Sequence, residues 1–172
     1  MYQTPVLRED PVSLDFSATR ATMIDSQLKT VGVIDKAVLD ALGSLPREEF
    51  LPAHLGGLAY ADATPELAPG RSLLVPMVLA LLLQTAEVKA GERVLVIGSA
   101  TGYSAAVLAA MGATVTALES DPALAAAARV PTMVGPLTAG WAAGAPYDLI
   151  LFEGSIETVP PAIAAQLAPG GR

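Results

Sequence analysis

The spacing of apolar residues in the first half of the chain predicts helices. From Ser17 onwards apolar side chains recur every three or four positions, as on one face of a helix, and Gly32 ends the pattern. The predicted helical stretches are residues 17–31, a helix capped by Asp35 and stopped at Gly43, a short turn at 46–50, and residues 76–87 with Pro76 in the first turn. Residues 1–16 are interpreted as an arm and residues 54–72 as an ordered loop, since neither stretch shows a clear period.

From Gly91 the pattern changes to short apolar runs separated by helix-like stretches. Residues 93–97 are rich in β-branched side chains and show no alternation, which is typical of a strand covered on both faces. The elements predicted after it are a helix at 103–111, a strand at 113–118, a helix at 122–129, strands at 130–134 and 147–152, and a helix at 160–167. Strands that alternate with helices predict an α/β fold with a doubly wound, mostly parallel sheet.

Composition and charge disfavour several classes of function. Ten basic and seventeen acidic residues give a net charge of −7 without any stripe of Lys or Arg, which disfavours nucleic-acid binding. The chain has no cysteine and a single histidine, His54, so no metal site is predicted. The most apolar run, residues 73–83, is too short to span a bilayer, and the N-terminus lacks the residue order of a signal peptide. We therefore expect a cytoplasmic protein that binds neither nucleic acid nor membranes.

A glycine loop followed by an acid on the next strand is the sharpest chemical signal. The segment Val94-Leu95-Val96-Ile97-Gly98-Ser99-Ala100-Thr101-Gly102-Tyr103 runs from a buried strand through small residues into a helix. Gly98 and Gly102 allow a tight turn and let a ligand approach the main chain, where the free N–H groups of the helix start point. Glu119 ends the next strand, 21 residues after Gly98, where an acid accepts hydrogen bonds from both ribose hydroxyls of a nucleoside.

The loop residues favour a nucleoside without phosphates. A dinucleotide site would have glycine at the middle and last positions of Gly-x-Gly-x-x-Gly, where this chain has Ala100 and Tyr103. Tyr103 would crowd a pyrophosphate, whereas S-adenosylmethionine has no phosphate to be crowded. S-adenosylmethionine is therefore the favoured cofactor, and a dinucleotide or a purely structural turn are the alternatives.

Short motifs along nearly the whole chain occur in the order of one known family. They are Met23-Ile24 with Gln27-Leu28 and Gly32-Val33, Val38-Leu39, Pro46-Arg47-Glu48, Phe50-Leu51-Pro52, Ala59-Tyr60-Ala61-Asp62, the glycine loop, Ala145-Pro146-Tyr147-Asp148, and Gln166-Leu167-Ala168-Pro169-Gly170-Gly171-Arg172. With them the chain resembles the protein-L-isoaspartate O-methyltransferases, a family of class I S-adenosylmethionine-dependent methyltransferases. The resemblance implies a Rossmann-like methyltransferase fold and methyl transfer to a carboxylate. In the named enzyme this is the α-carboxylate of an isoaspartyl residue in a damaged protein, which makes protein repair the implied role.

The chain departs from the family's pattern in the substrate loop and around the cofactor. The substrate loop runs from Gly70 to Pro76; Ser72 keeps a hydroxyl where the family has threonine, but Leu74 replaces a serine expected near the reacting carboxylate. Ala100 replaces the middle glycine of the cofactor loop, and Val96 stands where the first strand usually has an acid. After the third strand the family favours Gly-Asp-Gly, where this chain has Gly135-Pro136-Leu137. The departure in the substrate loop bears on the acceptor more than on the cofactor.

The loop and the resemblance together give a set of candidate site residues. For the cofactor they are Gly98, Ser99, Ala100, Thr101, Gly102 and Tyr103 around the methionine moiety and sulfonium, Glu119 on the ribose, Gly135, Pro136 and Leu137 beside the adenine, and Glu153 at the end of the fourth strand. For the acceptor they are Ser72, Tyr60 and Arg71, of which Arg71 could pair with a substrate carboxylate. An ordinary surface role for Arg71 and a structural role for Tyr60 in pinning the loop are the alternatives.

One compact domain is expected, in which residues 1–88 form a helical and substrate-loop segment packed on an S-adenosylmethionine-binding core at residues 89–172. In the family Gly-Gly-Arg opens a fifth strand and two more follow. We therefore expect this chain to lack the last strands, which would leave residues 147–152 as an exposed apolar edge that a homodimer could cover. Three functions stay open: a protein carboxyl methyltransferase of the isoaspartyl type, a related methyltransferase with another acceptor such as a small molecule, and a cofactor-binding protein without isoaspartyl activity.

Overall fold

The computed structural model of the protein describes residues 14–172, so the predicted N-terminal arm lies almost wholly outside the described part. The helices are α1 (Phe16–Met23), α2 (Lys36–Ser44), α3 (Pro76–Ala86), α4 (Tyr103–Ala110), α5 (Pro122–Ala127) and α6 (Pro161–Ala164). The strands are β1 (Glu66–Ala68), β2 (Arg71–Ser72), β3 (Arg93–Ile97), β4 (Thr114–Glu119), β5 (Thr132–Val134) and β6 (Leu149–Phe152). A π turn (Ile24–Leu28) and a 3₁₀ turn (Lys29–Val31) continue α1, and further 3₁₀ turns lie at Arg47–Phe50, Ala53–Leu58, Leu137–Ala139 and Ala142–Gly144.

The main sheet has the strand order β5-β4-β3-β6, and its three strand pairings are all parallel. This confirms the predicted doubly wound α/β sheet. The chain moves outward from β3 through β4 to β5 and then returns to the other side of β3, where β6 pairs with it. In such sheets the crevice where the strand order reverses, at the carboxyl ends of the strands, is the usual ligand site. Here that crevice lies above Ile97 of β3 and Phe152 of β6.

Polar caps and left-handed residues set the helix ends. Asp15 accepts a hydrogen bond from the N–H of Ala18 at 3.0 Å, and Asp35 accepts one from Ala37 at 2.8 Å, which confirms the predicted cap of the second helix. The helical stretch at the start of the chain ends at Gly32, whose φ of 89° is left-handed, as predicted. The helix α2 runs on to Ser44, one residue past the predicted stop at Gly43.

Several predicted boundaries differ by one to three residues, and the predicted loop before α3 contains two strands. The helix α6 ends at Ala164, not at residue 167 as predicted, since Tyr147 donates its N–H to Gln166 O at 2.8 Å and Ala168 donates to Tyr147 O at 2.8 Å. The predicted loop at 54–72 contains the antiparallel hairpin of β1 and β2. The end of α6 thus depends on pairing with a distant residue, whereas the hairpin is local but its strands, of three and two residues, are too short to show a period.

Alternate residues of β3 pack into two layers, which explains why its sequence shows no alternation. Val94 and Val96 belong to a core shared with α2, α3 and α4, whereas Leu95 and Ile97 pack with Leu118 on the other face of the sheet. These β3 residues are at most 4% exposed. Full burial of one such side chain contributes about 1.5–3 kcal/mol relative to exposure. The core around Val94 and Val96 contains residues from both predicted segments, 1–88 and 89–172. The division at residue 88 stays a prediction.

The outer edge of β6 is partly covered by the chain itself. Arg172 donates its N–H to Asp148 O at 3.0 Å, and Ile150 donates to Arg172 O at 2.9 Å. The last residues therefore extend the sheet along the first part of β6. Within residues 14–172 none of the helices has the length and apolar character needed to cross a bilayer.

Candidate functional site

The glycine loop turns sharply after β3 and is held against β4. Gly98 and Gly102 have φ angles of 80° and 88°, which favour glycine. The N–H groups of Gly98 and Ser99 both donate to Leu118 O, at 2.8 and 3.0 Å. A Cβ placed on Gly98 would lie 3.4 Å from the Arg71 guanidinium and 3.5 Å from the carbonyl oxygen of Glu153. The open face of Gly98 is therefore the floor of a narrow space between these two residues.

Ala100 occupies a backbone position that suits glycine. Its φ is 49°, in the left-handed region, where a Cβ costs about 1–2 kcal/mol. Its N–H donates to Oε2 of Glu119 at 2.8 Å, so the strained conformation places this N–H towards the acid of the next strand. Having alanine here in place of the family's glycine therefore affects the stability of the protein, because the loop conformation is retained.

Replacing Ala100 by glycine should stabilise the protein. We expect Ala100→Gly to raise the free energy of unfolding by about 1 kcal/mol, because relief of the left-handed strain outweighs the greater flexibility of glycine in the unfolded chain. Urea unfolding followed by circular dichroism measures this change. A variant less stable than the wild type would contradict the left-handed conformation at this position.

The carboxylate of Glu119 is the polar centre of the crevice. Glu119 is fully buried at the end of β4. Its two oxygens accept the N–H groups of Ala100 at 2.8 Å, Ser120 at 2.7 Å and Asp121 at 3.0 Å. Nη2 of Arg71 also pairs with Oε2 of Glu119. Backbone donors thus fix both oxygens beside the glycine loop, and charge-assisted hydrogen bonds of this kind are the strong ones.

A cavity of about 540 Å³ opens at the point where the strand order reverses, within the range of small-molecule sites. It is lined by residues from the substrate loop, the ends of β3 and β6 and the segments that follow them: Gly70, Arg71, Ile97, Gly98, Leu137, Thr138, Phe152, Glu153, Gly154, Ser155, Ile156, Glu157, Thr158, Pro160 and Ile163. The cavity therefore joins the predicted cofactor loop to the predicted substrate loop.

The buried side chains of Arg47 and Tyr103 and the partly exposed Glu153, whose Oε1 is buried, form what we call the inner polar cluster. The Arg47 guanidinium donates from Nε to Ala59 O and from Nη2 to Leu74 O, both at 2.7 Å, and its Cζ lies 4.7 Å from the centre of the Tyr103 ring. Among the described residues, Arg47 Nη1, the Tyr103 hydroxyl and Glu153 Oε1 have no hydrogen-bond partner. Burial raises the pKa of Glu153 to about 8, although Arg47 and Arg71 act to lower it.

Sequence reasoning did not select Arg47 as a site residue. The side chain is only 1% exposed, which is rare for an arginine. Its place in the Pro46-Arg47-Glu48 motif was the available signal. The motif lies in the predicted short turn at 46–50, and the burial of the turn was not predicted.

A family model described as Protein-L-isoaspartate(D-aspartate) O-methyltransferase (PCMT) matches residues 18–172. The chain belongs to this family. The family is one of S-adenosylmethionine-dependent O-methyltransferases, which confirms the fold, the cofactor and the reaction class expected from the sequence. A protein-L-isoaspartate O-methyltransferase of Methylorubrum populi is 43% identical over 90% of this chain and 77% of its own length. Another, of Methylorubrum extorquens, is 40% identical over 99% of this chain and 78% of its own length.

Solved structures agree with this O-methyltransferase fold. One protein-L-isoaspartate O-methyltransferase superposes with a TM-score of 0.78 at 27% identity, covering 88% of this chain and about half (53%) of that chain. A protein from Plasmodium falciparum, solved in complex with S-adenosyl-L-homocysteine, superposes with a TM-score of 0.75 at 19% identity, covering 88% of this chain and 81% of that chain. The second likeness is one of fold alone.

The residues of this O-methyltransferase fit a nucleoside cofactor on structural grounds. Gly98 lines the cavity, the buried carboxylate of Glu119 accepts the N–H of Ala100 in the loop, and within residues 14–172 the buried Oγ of Ser99 has no hydrogen-bond partner. Thr101 instead donates its hydroxyl to Phe50 O at 2.7 Å and so fixes the loop. Of the three predicted adenine neighbours Leu137 lines the cavity, while Gly135 packs towards Leu118 and Trp141 and Pro136 is exposed.

The three predicted acceptor residues lie in different surroundings. Arg71 lines the cavity and pairs with Glu119. Ser72 is exposed on β2. The Tyr60 hydroxyl lies among Arg20, at 2.7 Å from its Nε, the N–H of Arg47 and the carboxylate of Glu48. Burial raises the Tyr60 pKa to about 12. The structure thus brings Arg71 to the crevice and places Tyr60 at the junction of the N-terminal helices.

Proposed function

We propose that this chain methylates the α-carboxylate of isoaspartyl residues in damaged proteins, with S-adenosylmethionine as methyl donor. The observation that carries the proposal is the buried Glu119 carboxylate facing the glycine loop in a chain of this family. The names of the relatives supply the acceptor. Glu119 would bind the ribose hydroxyls, and the loop from Gly98 to Tyr103 would lie along the methionine moiety. Leu137 would flank the adenine with Gly135 and Pro136.

The reaction needs alignment more than proton transfer. S-adenosylmethionine supplies an electrophilic methyl group, and an acceptor carboxylate is already ionised at neutral pH. The protein therefore has to hold the acceptor oxygen in line with the methyl carbon and exclude water. The cavity joins the cofactor loop to the substrate loop, which supports this arrangement. No residue in the proposal acts as a strong base.

Arg71 links the two halves of the proposed site. Its Nη2 pairs with Oε2 of Glu119, the atom that ribose binding would use. Binding of the nucleoside would release the guanidinium, which is 23% exposed and lies in the same cavity. The released Arg71 would then pair with the carboxylate of the acceptor, a geometry that guanidinium groups suit. Ser72, next to it on the loop, would supply a further hydroxyl.

Label transfer tests the proposed acceptor. The full chain is incubated with S-adenosylmethionine labelled in the methyl group, together with an isoaspartyl peptide or its normal aspartyl twin. We expect a base-labile methyl ester in the isoaspartyl peptide alone. If the chain binds S-adenosylhomocysteine but neither peptide becomes labelled, the proposed isoaspartyl acceptor is refuted while the binding of the cofactor still stands. A cytoplasmic location and a homodimer stay predictions.

Leu74 is the position at which acceptor binding should be easiest to improve. The family's loop has a serine there, and Leu74 is only partly buried, so a hydroxyl can be accommodated. We expect Leu74→Ser to lower the KM for the isoaspartyl peptide about tenfold, the value of one hydrogen bond to a charged group. Leu74→Ala is the control, because it removes the same side chain without adding a donor. Equal kinetics of the two variants would contradict the role of the hydroxyl.

A further inference from the structure

The inner polar cluster has hydrogen-bonding capacity that the fold does not use. The Nε and Nη2 groups of Arg47 are committed to carbonyl oxygens, which leaves Nη1 as the free donor. The Tyr103 hydroxyl and Glu153 Oε1 are likewise unpartnered within residues 14–172. Buried polar groups are normally paired, so three together suggest a site completed by a ligand.

The cluster adjoins the glycine loop and reaches the cavity through Glu153, while Arg47 and Tyr103 are buried behind the cavity wall. Tyr103 directly follows Gly102 and is the first residue of α4. Glu153 lines the cavity, and its carbonyl oxygen lies 3.5 Å from a Cβ placed on Gly98. Glu153 is partly exposed as a residue while its Oε1 is buried, so its carboxyl group points inward from the cavity wall. Arg47, which packs over the Tyr103 ring, lies behind it.

The unpartnered donors and acceptor of the inner polar cluster match the two oppositely charged groups of a zwitterion. The free N–H of Arg47 and the Tyr103 hydroxyl are donors suited to a carboxylate, and Glu153 Oε1 is an acceptor suited to an ammonium group. S-adenosylmethionine carries both charges at its amino-acid end and none at its sugar. Val96 of β3 stands where the family usually has an acid, and it is apolar and fully buried. Glu153 follows β6, the strand that pairs directly with β3, so it is an acid on the neighbouring strand.

We propose that the inner polar cluster binds the amino-acid end of S-adenosylmethionine, with Arg47 and Tyr103 donating to its carboxylate and Glu153 accepting from its ammonium group. The proposal rests on the proposed function for the presence of the cofactor. It adds Arg47 to the site. It also assigns to Glu153, at the end of the neighbouring strand β6, the role of the acid that the family usually has at the position of Val96.

The charge state of Glu153 makes this binding pH-dependent. The groups that face it are Arg47, Arg71 and Glu119, and its pKa of about 8 means that it holds a proton at pH 7 in the free protein. An ammonium group beside it favours the ionised form and lowers this pKa. Binding of S-adenosylhomocysteine at pH 7 should therefore release about one proton, since the carboxyl group must ionise.

Two ligands that differ only at the amino-acid end test the proposal. S-adenosylhomocysteine carries that end, whereas 5′-methylthioadenosine keeps the nucleoside and the thioether without it. We expect Tyr103→Phe and Glu153→Gln each to weaken S-adenosylhomocysteine binding about tenfold or more and to change 5′-methylthioadenosine binding by less than about twofold. Titration calorimetry in buffers of different ionisation enthalpy should also show that Glu153→Gln abolishes the proton release.

These variants keep the test clear of folding defects, because neither the Tyr103 hydroxyl nor Glu153 Oε1 has a hydrogen-bond partner to lose in the part of the chain that the structure describes. Tyr147→Phe is the matched control: its hydroxyl donates to Trp141 O at 2.7 Å on the other face of the sheet, so the ligand preference should not change. An equal loss of both ligands would overturn the proposal, as would a higher KM for the acceptor peptide with S-adenosylhomocysteine binding unchanged. Failure of the wild type to bind either ligand would instead refute the proposed function.

Discussion

Glu119→Gln is expected to weaken S-adenosylhomocysteine binding about 100-fold or more while the protein stays folded. The carboxylate would accept hydrogen bonds from two ribose hydroxyls, and each bond to a charged group contributes about 1.5–3 kcal/mol. The amide of glutamine is neutral and presents one NH₂ group to a site where three backbone N–H groups already converge. Both effects act against the ligand, and titration calorimetry measures their sum.

The same change removes the ion pair with Arg71, so stability has to be measured beside affinity. We expect the variant to unfold at a lower temperature than the wild type, with unchanged circular dichroism at 25 °C. Glu92→Gln is the control, since it removes an ion pair with Arg172, 2.9 Å long, at a site remote from the crevice. A folded Glu119→Gln variant that binds within threefold of the wild type would refute the ribose-binding role of Glu119.

The elements that could be predicted well are those with a strong local pattern. The strand β3 has the predicted bounds, because a continuous apolar run between Gly91 and Gly98 leaves few alternatives. The proximity of the glycine loop to Glu119 could be predicted as well, because parallel strands place the loop after β3 beside the end of β4. Here the local sequence determines both the element and its neighbour.

The parts that could not be predicted depend on residues far apart in the chain. Arg47 is buried because it binds Ala59 O and Leu74 O, which lie 12 and 27 positions away. Arg71 pairs with Glu119 across 48 positions. No local spacing indicates such contacts, because they arise only when the substrate loop folds over the crevice. The same holds for Tyr60, whose partner Arg20 is 40 positions away.

Gly102→Ala is expected to cost about 2–5 kcal/mol of stability, a large share of the 5–15 kcal/mol typical of a domain. The φ of 88° places an alanine in the left-handed region, at about 1–2 kcal/mol. A Cβ at this position would also lie 2.6 Å from Cγ2 of Val130, so the residue before β5 would have to shift. Such overpacking adds about 1–3 kcal/mol. Urea unfolding measures the total.

The cofactor should be affected through the start of α4. Relief of the clash moves the loop that ends at Gly102, and Tyr103 moves with it, so S-adenosylhomocysteine binding should fall at least tenfold. Gly43→Ala is the matched control: Gly43 lies inside α2 with nothing within 4 Å of an added Cβ. There alanine should stabilise the helix by up to about 1 kcal/mol and leave binding unchanged. Stability changes of the same sign at the two glycines would contradict the left-handed turn at Gly102.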